Sequence, residues 1–298
     1  MAVSLLAETR AILNRYGFRP KKKLGQNFLV DRDLLERIIE AAELGPQETV
    51  IEIGPGLGIL TRALCQVAGL VLAIEFDTTL FGILQKELAG FPNLSLVQAD
   101  VLTFDFGAWA RERGVERGAK VVANLPYYIS TPSLFHLLRS KYLFSLLVLM
   151  VQKEVAERIL AHPGSKQYGS LSISLQLHGE PKIWTSAPRE AFYPSPQVDS
   201  VVLKVLIREK PRVEVGNEPL FRSTVRAAFA QRRKMLGNAL PGQICPGMPK
   251  DAWDRVFSDA GLSRKRRGET LSIEEFAKLT HHLNRWLERE GYVPHRQG

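Results

Sequence analysis

The chain has 298 residues, 45% hydrophobic and 24% charged, with a formal net charge of +9. That length predicts one large domain plus a smaller one, and the mix excludes fibrous and disordered classes. No apolar run reaches the roughly 18 residues of a bilayer-spanning helix, and two distant cysteines without CxxC or Cys/His spacing argue against a disulfide framework or a metal site.

The first residues, MAVSLLAETRAILNRYG, space Leu5, Leu6, Ile12, Leu13 and Tyr16 as a helix does. They lack the basic start and cleavage site of a signal peptide, so a cytoplasmic protein is expected. Residues 49–54 read as a buried strand, GPGLG as a turn and 59–67 as a helix. A second strand, LVLAIEFD, ends at Glu75. A helix over 79–89 follows, then strands over 94–100, 119–124 and 143–151. Apolar strands alternating with helices predict an α/β fold with a doubly wound, Rossmann-like parallel sheet. Two extended runs within 180–207 are expected to close the sheet with antiparallel strands. Pro211 to Pro219 reads as a linker, and 220–298 has helical periodicity throughout. The expected domains are 1–210, including a basic arm over 1–32, and a small all-α domain over 211–298.

Charge is segregated along the chain. Residues 1–32 carry a net +5 and 211–298 a net +6, while 33–210 carry a net −2. Two readings stand: a polyanion gripped by both ends, or ordinary solvated surface charge.

The stretch EIGPGLGILT (52–61) joins a strand, a glycine turn and a helix start. Gly54 and Gly56 allow a ligand close to the backbone, and the helix offers free N–H groups. The spacing is GxGxG, not the GxGxxG of dinucleotide sites. Glu75, at the end of the second strand, is placed to accept from two ribose hydroxyls. Asp100, at the end of the third, is placed to accept from an adenine amine. An adenosine-containing cofactor is expected at this carboxyl edge.

The fourth strand ends in Asn124, followed by Leu125, Pro126 and Tyr127. An amide oxygen, backbone carbonyls and a flat ring suit a planar heterocycle with an exocyclic amine. Two acceptors against its N–H bonds favour a pyramidal nitrogen whose lone pair points at an electrophile. NLPY (124–127) and EIGPGLG (52–58) resemble motifs of S-adenosylmethionine-dependent adenine N6-methyltransferases. KKKLGQNFL (21–29), MVQKEV (150–155), FYPSPQVDS (192–200) and FAQRRKMLGNAL (229–240) narrow the match. Together the six resemble the bacterial small-subunit (16S) ribosomal RNA adenine N6-dimethyltransferases, from about residue 19 to residue 280.

The resemblance implies a class I methyltransferase domain and these roles. Asn27, Leu29 and Gly54 would meet the methionine end of S-adenosyl-L-methionine, Glu75 its ribose and Asp100 its adenine. Asn124 and the Leu125 and Pro126 backbone would hold the target amine, with Tyr127 and Phe192 stacking on either side of the base. It implies dimethylation of two adjacent adenosines in a hairpin near the 3′ end of small-subunit rRNA, within an immature small subunit, by a monomer needing no metal or membrane. Phosphate contacts are expected from Lys21, Lys22 and Lys23 and from Arg232, Arg233 and Lys234; SRKRR (263–267) is a further basic stretch. Tyr128 reads as a packing or lining residue. Three other readings are set against this one. They are a large-subunit rRNA methyltransferase, a nicotinamide oxidoreductase, and a ribosome-assembly factor that binds RNA with methylation dispensable.

Overall fold

A computed structural model of the protein describes residues 4–291. The chain divides into two compact units: residues through Ala156 with Glu180–Glu209, and Glu157–Gly179 with Lys210 onward.

In the first unit the Val-, Ile- and Leu-rich runs form a seven-stranded sheet. Its strands are β2 (Thr49–Ile53), β3 (Leu70–Glu75), β4 (Leu94–Gln98), β5 (Ala119–Asn124), β6 (Phe144–Gln152), β7 (Gly179–Ala187) and β9 (Ser200–Ile207). Their order is β4-β3-β2-β5-β6-β9-β7. The strands from β4 to β6 run parallel, and β9 lies antiparallel to β6, with Met150 opposite Val202. A separate ladder pairs β1 (Phe28–Leu29) with β8 (Phe192–Tyr193). The chain reverses direction of travel across the sheet between β2 and β5, so a crevice opens at their carboxyl ends. Helices α1 (Leu5–Arg15), α2 (Arg32–Ala42), α3 (Ile59–Val67), α4 (Thr78–Glu87), α5 (Phe106–Glu112) and α6 (Ser130–Arg139) belong to this unit. The caps of α2 and α4 are readable: Asp31 accepts the Leu34 N–H, and Asp77 accepts those of Thr79 and Leu80.

Two expectations change here. The third strand stops at Gln98, and Asp100 sits in the turn beyond, where its Oδ1 accepts the Leu102 N–H. The expected basic arm is folded chain: Ile12 and Leu13 pack with Leu57, Leu80 and Ile83, and Arg15 pairs with Glu87.

The second unit is helical. It contains α8 (Ser170–His178), α9 (Glu218–Ala230), α10 (Leu236–Ala239), α11 (Pro241–Ile244), α12 (Lys250–Asp259) and α13 (Ile273–Arg289), while α7 (Lys153–Leu160) crosses the division. The expected boundary at 210 is therefore incomplete. Residues 157–179 join this unit because Tyr168, Ile173 and Leu177 bury against the core of Leu220, Phe221, Phe257 and Phe276. A reciprocal cap between Ser272 and Glu275 starts α13. Among the described residues, no helix is long and apolar enough to cross a membrane.

Candidate active site

A cavity of about 250 Å³ opens at the carboxyl edge of the sheet. Asn27, Leu29, Gly54, Gly56, Glu75, Asp100, Asn124 and Pro126 all line it, gathered from five separate stretches of sequence. Gly54 and Gly56 both hold positive φ, 68° and 61°. At Gly56 a Cβ would also meet the Phe28 ring at 3.0 Å, so this glycine makes room for a side chain of the wall as well.

The acids differ in environment. Glu75 is buried, and its two oxygens accept the Gly56 N–H at 3.2 Å and the Asp77 N–H at 2.8 Å. Burial nevertheless pushes its carboxyl up to about 7. Glu52, also on the wall, is 1% exposed and pushed up to about 8, by burial first and by the neighbouring Glu75 charge. Among the described residues, Glu52 Oε2 and Thr61 Oγ1 have no hydrogen-bond partner. Burial would likewise raise Asp77, but the Lys21 ammonium at 2.6 Å and the N–H groups of Leu80 and Thr79 hold it below the ordinary value.

At the tip of β5, the Asn124 Nδ2 donates to the Asn27 carbonyl at 3.0 Å. That bond commits the amide's donor side and leaves Oδ1 to accept. Leu125 is buried, its N–H bonded to the Met150 carbonyl. The Pro126 carbonyl accepts from both the Ile129 N–H and the Ser130 hydroxyl. It is thus already occupied, a correction to its expected part in holding an amine. Tyr127 is half-buried, with its hydroxyl 2.9 Å from the Ser200 hydroxyl. Phe192 departs furthest from expectation. It is 3% exposed, sits opposite Leu29 in the β1–β8 ladder and packs among Ala191, Met150 and Val202. Its ring is a core element here, not an open stacking face.

Residues 17–279 match the family model described as ribosomal RNA adenine dimethylase. The chain belongs to that family. It is 48% identical over 287 residues to Ribosomal RNA small subunit methyltransferase A of Moorella thermoacetica, covering 95% of this chain and 99% of that protein. Identity to the protein of the same name from Bacillus mycoides is also 48%, over 92% of this chain and 95% of that one. Among solved structures, a dimethyladenosine transferase from Plasmodium falciparum aligns with a TM-score of 0.71 at 28% identity, covering 89% of this chain and 98% of that one. The 23S rRNA methyltransferase ErmE aligns with a TM-score of 0.62 at 26% identity, covering 87% and 100%. The fold is accordingly the class I methyltransferase fold, and the protein is an rRNA adenine dimethyltransferase.

Not every cation expected to face rRNA is available in this dimethylase. Lys21 is engaged by Asp77, Lys23 is exposed, and the Lys22 side chain lies outside the described residues. Residues 231–234 form a turn beyond the end of α9, not a helix face. Within it Arg232 pairs with Glu269 at 2.9 Å and donates to the Lys166 carbonyl, whereas Arg233 and Lys234 are exposed. The SRKRR stretch lies beside that turn, since the Leu236 and Gly237 N–H groups donate to the Arg266 and Arg264 carbonyls. Arg264 and Arg266 are themselves paired, with Asp254 and Glu275.

Several lining residues of the dimethylase site escaped the sequence reading. Phe76 is 56% exposed on the wall, and its only signal is an apolar residue immediately after Glu75. Tyr128 also lines the cavity, 50% exposed, which resolves the two roles left open for it. Gln26, inside the KKKLGQNFL motif but given no role from sequence, and Asp77, which carries no motif, line it too. Among the described residues, no group of three or more His, Cys, Asp or Glu side chains could hold a metal ion.

Proposed function

We propose that this dimethyltransferase converts two adjacent adenosines of the 3′-terminal hairpin of small-subunit rRNA to N6,N6-dimethyladenosine, using S-adenosylmethionine, on an immature small ribosomal subunit. In this reading it acts as a cytoplasmic monomer and serves small-subunit biogenesis. The small-subunit preference is supported by the 48% identity to small-subunit methyltransferases over nearly the full chain, against 26% to ErmE.

The cavity residues fit the cofactor. A glycine-lined floor admits a ligand against the backbone, and the buried Glu52 Oε2 beside it, without a hydrogen-bond partner among the described residues, suits a ligand that brings an ammonium group. Glu75 would hold the ribose, Asp100 the adenine amine, Phe76 the adenine face, and Asn27, Leu29 and Gly54 the amino-acid end. When bound, S-adenosylmethionine supplies an electrophilic sulfonium methyl.

The observation that carries the chemistry is the bond from Asn124 to Asn27. It orients the amide so that Oδ1 faces an incoming N–H, while the occupied Pro126 carbonyl leaves Leu125 as the backbone acceptor of the loop. Both acceptors draw the two N–H bonds of the adenine amine to one side and expose its lone pair. Tyr127 holds the base plane, and Tyr128 covers the mouth. Rate enhancement comes from positioning and fixed dipoles. The alkylated nitrogen loses its proton past Asn124 Oδ1 to solvent, so no strong side-chain base is required. A stacked base cannot reach this pocket, so the target must be unstacked or flipped.

The test supplies labelled S-adenosylmethionine with small subunits lacking the 3′-end dimethyladenosines, and with large subunits. Label recovered as N6,N6-dimethyladenosine from the small subunit alone is the expected result. Label in the large subunit, or binding without transfer, would overturn it.

A further inference from the structure

We propose that Lys21, Gln26 and Asp77 form a clasp that fastens residues 21–29 as a strap over the cofactor cavity, and that the fastened strap positions Asn124. The inference rests on reading the cavity as the S-adenosylmethionine site.

The strap is held differently at its two ends. Its C-terminal end is woven into the fold by the pairs Phe28–Tyr193 and Leu29–Phe192 and by the Val30 N–H donating to the Ala191 carbonyl at 2.8 Å. Phe28 and Leu29 are both buried. Phe18, three residues upstream, is buried with Leu57, Leu80 and Ile83, but among the described residues the N-terminal end itself has no such ladder. It is held by side chains: Lys21 Nζ lies 2.6 Å from Asp77 Oδ2, and Gln26 Nε2 donates to the same oxygen at 3.3 Å. The Lys21 N–H donates to Gln26 Oε1 at 2.7 Å, which closes the ring of contacts. Between the two ends, Leu24, Gly25, Gln26 and Asn27 line the cavity.

Asp77 is a rigid anchor for this purpose. Its Oδ1 caps α4, its N–H donates to Glu75, and its side chain is almost fully buried. The clasp is therefore rooted beside the carboxylate assigned to the ribose. Lys21, by contrast, is half exposed, so its bond can be exchanged for water at modest cost, and this end is the one that opens. When fastened, the strap brings two backbone groups to the reaction loop. One is the Asn27 carbonyl that receives the Asn124 amide. The other is Gly25, at positive φ, where a Cβ would lie 3.3 Å from the Tyr127 nitrogen. Release of the clasp thus frees the cavity roof and removes the group that orients Asn124. Lys21, Gln26 and Asp77 are positioning residues; none needs to touch a reacting atom.

The test compares the wild type with Lys21→Met, Lys21→Arg, Asp77→Asn and the Lys21→Met/Asp77→Asn double variant in the full chain. Asn at position 77 keeps an N-cap acceptor, so α4 is retained. Two readouts are taken: hydrogen exchange of backbone amides 24–29 without ligand, and the dissociation rate of S-adenosylmethionine by stopped flow. Lys21→Met is expected to speed both by about three- to tenfold, the range of a partly exposed charged hydrogen bond. Lys21→Arg should restore wild-type values, and Lys21→Met should add nothing in the Asp77→Asn background. Unchanged exchange of 24–29 in both Lys21→Met and Asp77→Asn would overturn the clasp. Wild-type protein that binds no S-adenosylmethionine would overturn the cofactor reading instead, and the ligand-free exchange would still decide the clasp.

Discussion

The side-chain amide of Asn124 is bonded at 3.0 Å to the backbone carbonyl of Asn27, 97 residues earlier in the chain. The tip of β5 and the N-terminal KKKLGQNFL segment are thus joined directly. A carboxylate at position 124 would face that carbonyl with no donor to offer. Asn124→Asp is expected to slow single-turnover methyl transfer by about 10²- to 10³-fold, the loss typical of a misdirected transition-state contact. Affinity for S-adenosylmethionine, measured by calorimetry, should change far less. A rate within tenfold of wild type would remove Asn124 from the reaction.

If Glu75 holds the cofactor ribose as proposed, cofactor affinity is expected to depend on pH. Burial raises its carboxyl to about 7, and only the ionised form can accept from both ribose hydroxyls. Below that value the proton must leave before the ligand binds, so affinity weakens as pH falls. Binding measured at pH 6 and pH 8 should differ by about tenfold, tighter at pH 8. Glu75→Gln should bind more weakly at both and lose most of the difference. A wild-type affinity that stays flat across this range would contradict the assignment of Glu75 to the ribose.

Phe192 distinguishes a stacking face from a core element. A ring packed against Leu29, Met150 and Val202 leaves a cavity when truncated. Phe192→Ala should lose about 3–5 kcal/mol of stability in chemical denaturation. If stability were unchanged and only methyl transfer fell, the ring would belong to the base.

Adjacent cations in the 231–234 turn should behave oppositely. Arg233→Ala with Lys234→Ala is expected to weaken rRNA binding and to flatten its logarithmic salt dependence by about 1.5 units, for two lost phosphate contacts. Arg232→Ala should instead lower the melting temperature, because it breaks the pair with Glu269. Equal salt slopes for the double variant and the wild type would show that this turn does not meet phosphate.

Most of the architecture was legible in the sequence because its causes are local. The uninterrupted apolar runs announce buried parallel strands, and strand 119–124 agrees with the structure to the residue. Glycines that need positive φ mark the ligand turn, and the strand ends that carry Glu75 and Asn124 follow from the same runs. What the tertiary structure alone decided were the commitments of groups distant in sequence. The Pro126 carbonyl is taken by its own loop, and Phe192 is drawn into the core by its pairing with Leu29. Lys21 is drawn to Asp77 and Arg232 to Glu269, while Arg233 next to it stays exposed. Residue type and spacing tell which hydrogen bonds and charges a side chain can offer; only the folded chain decides which of them are already used.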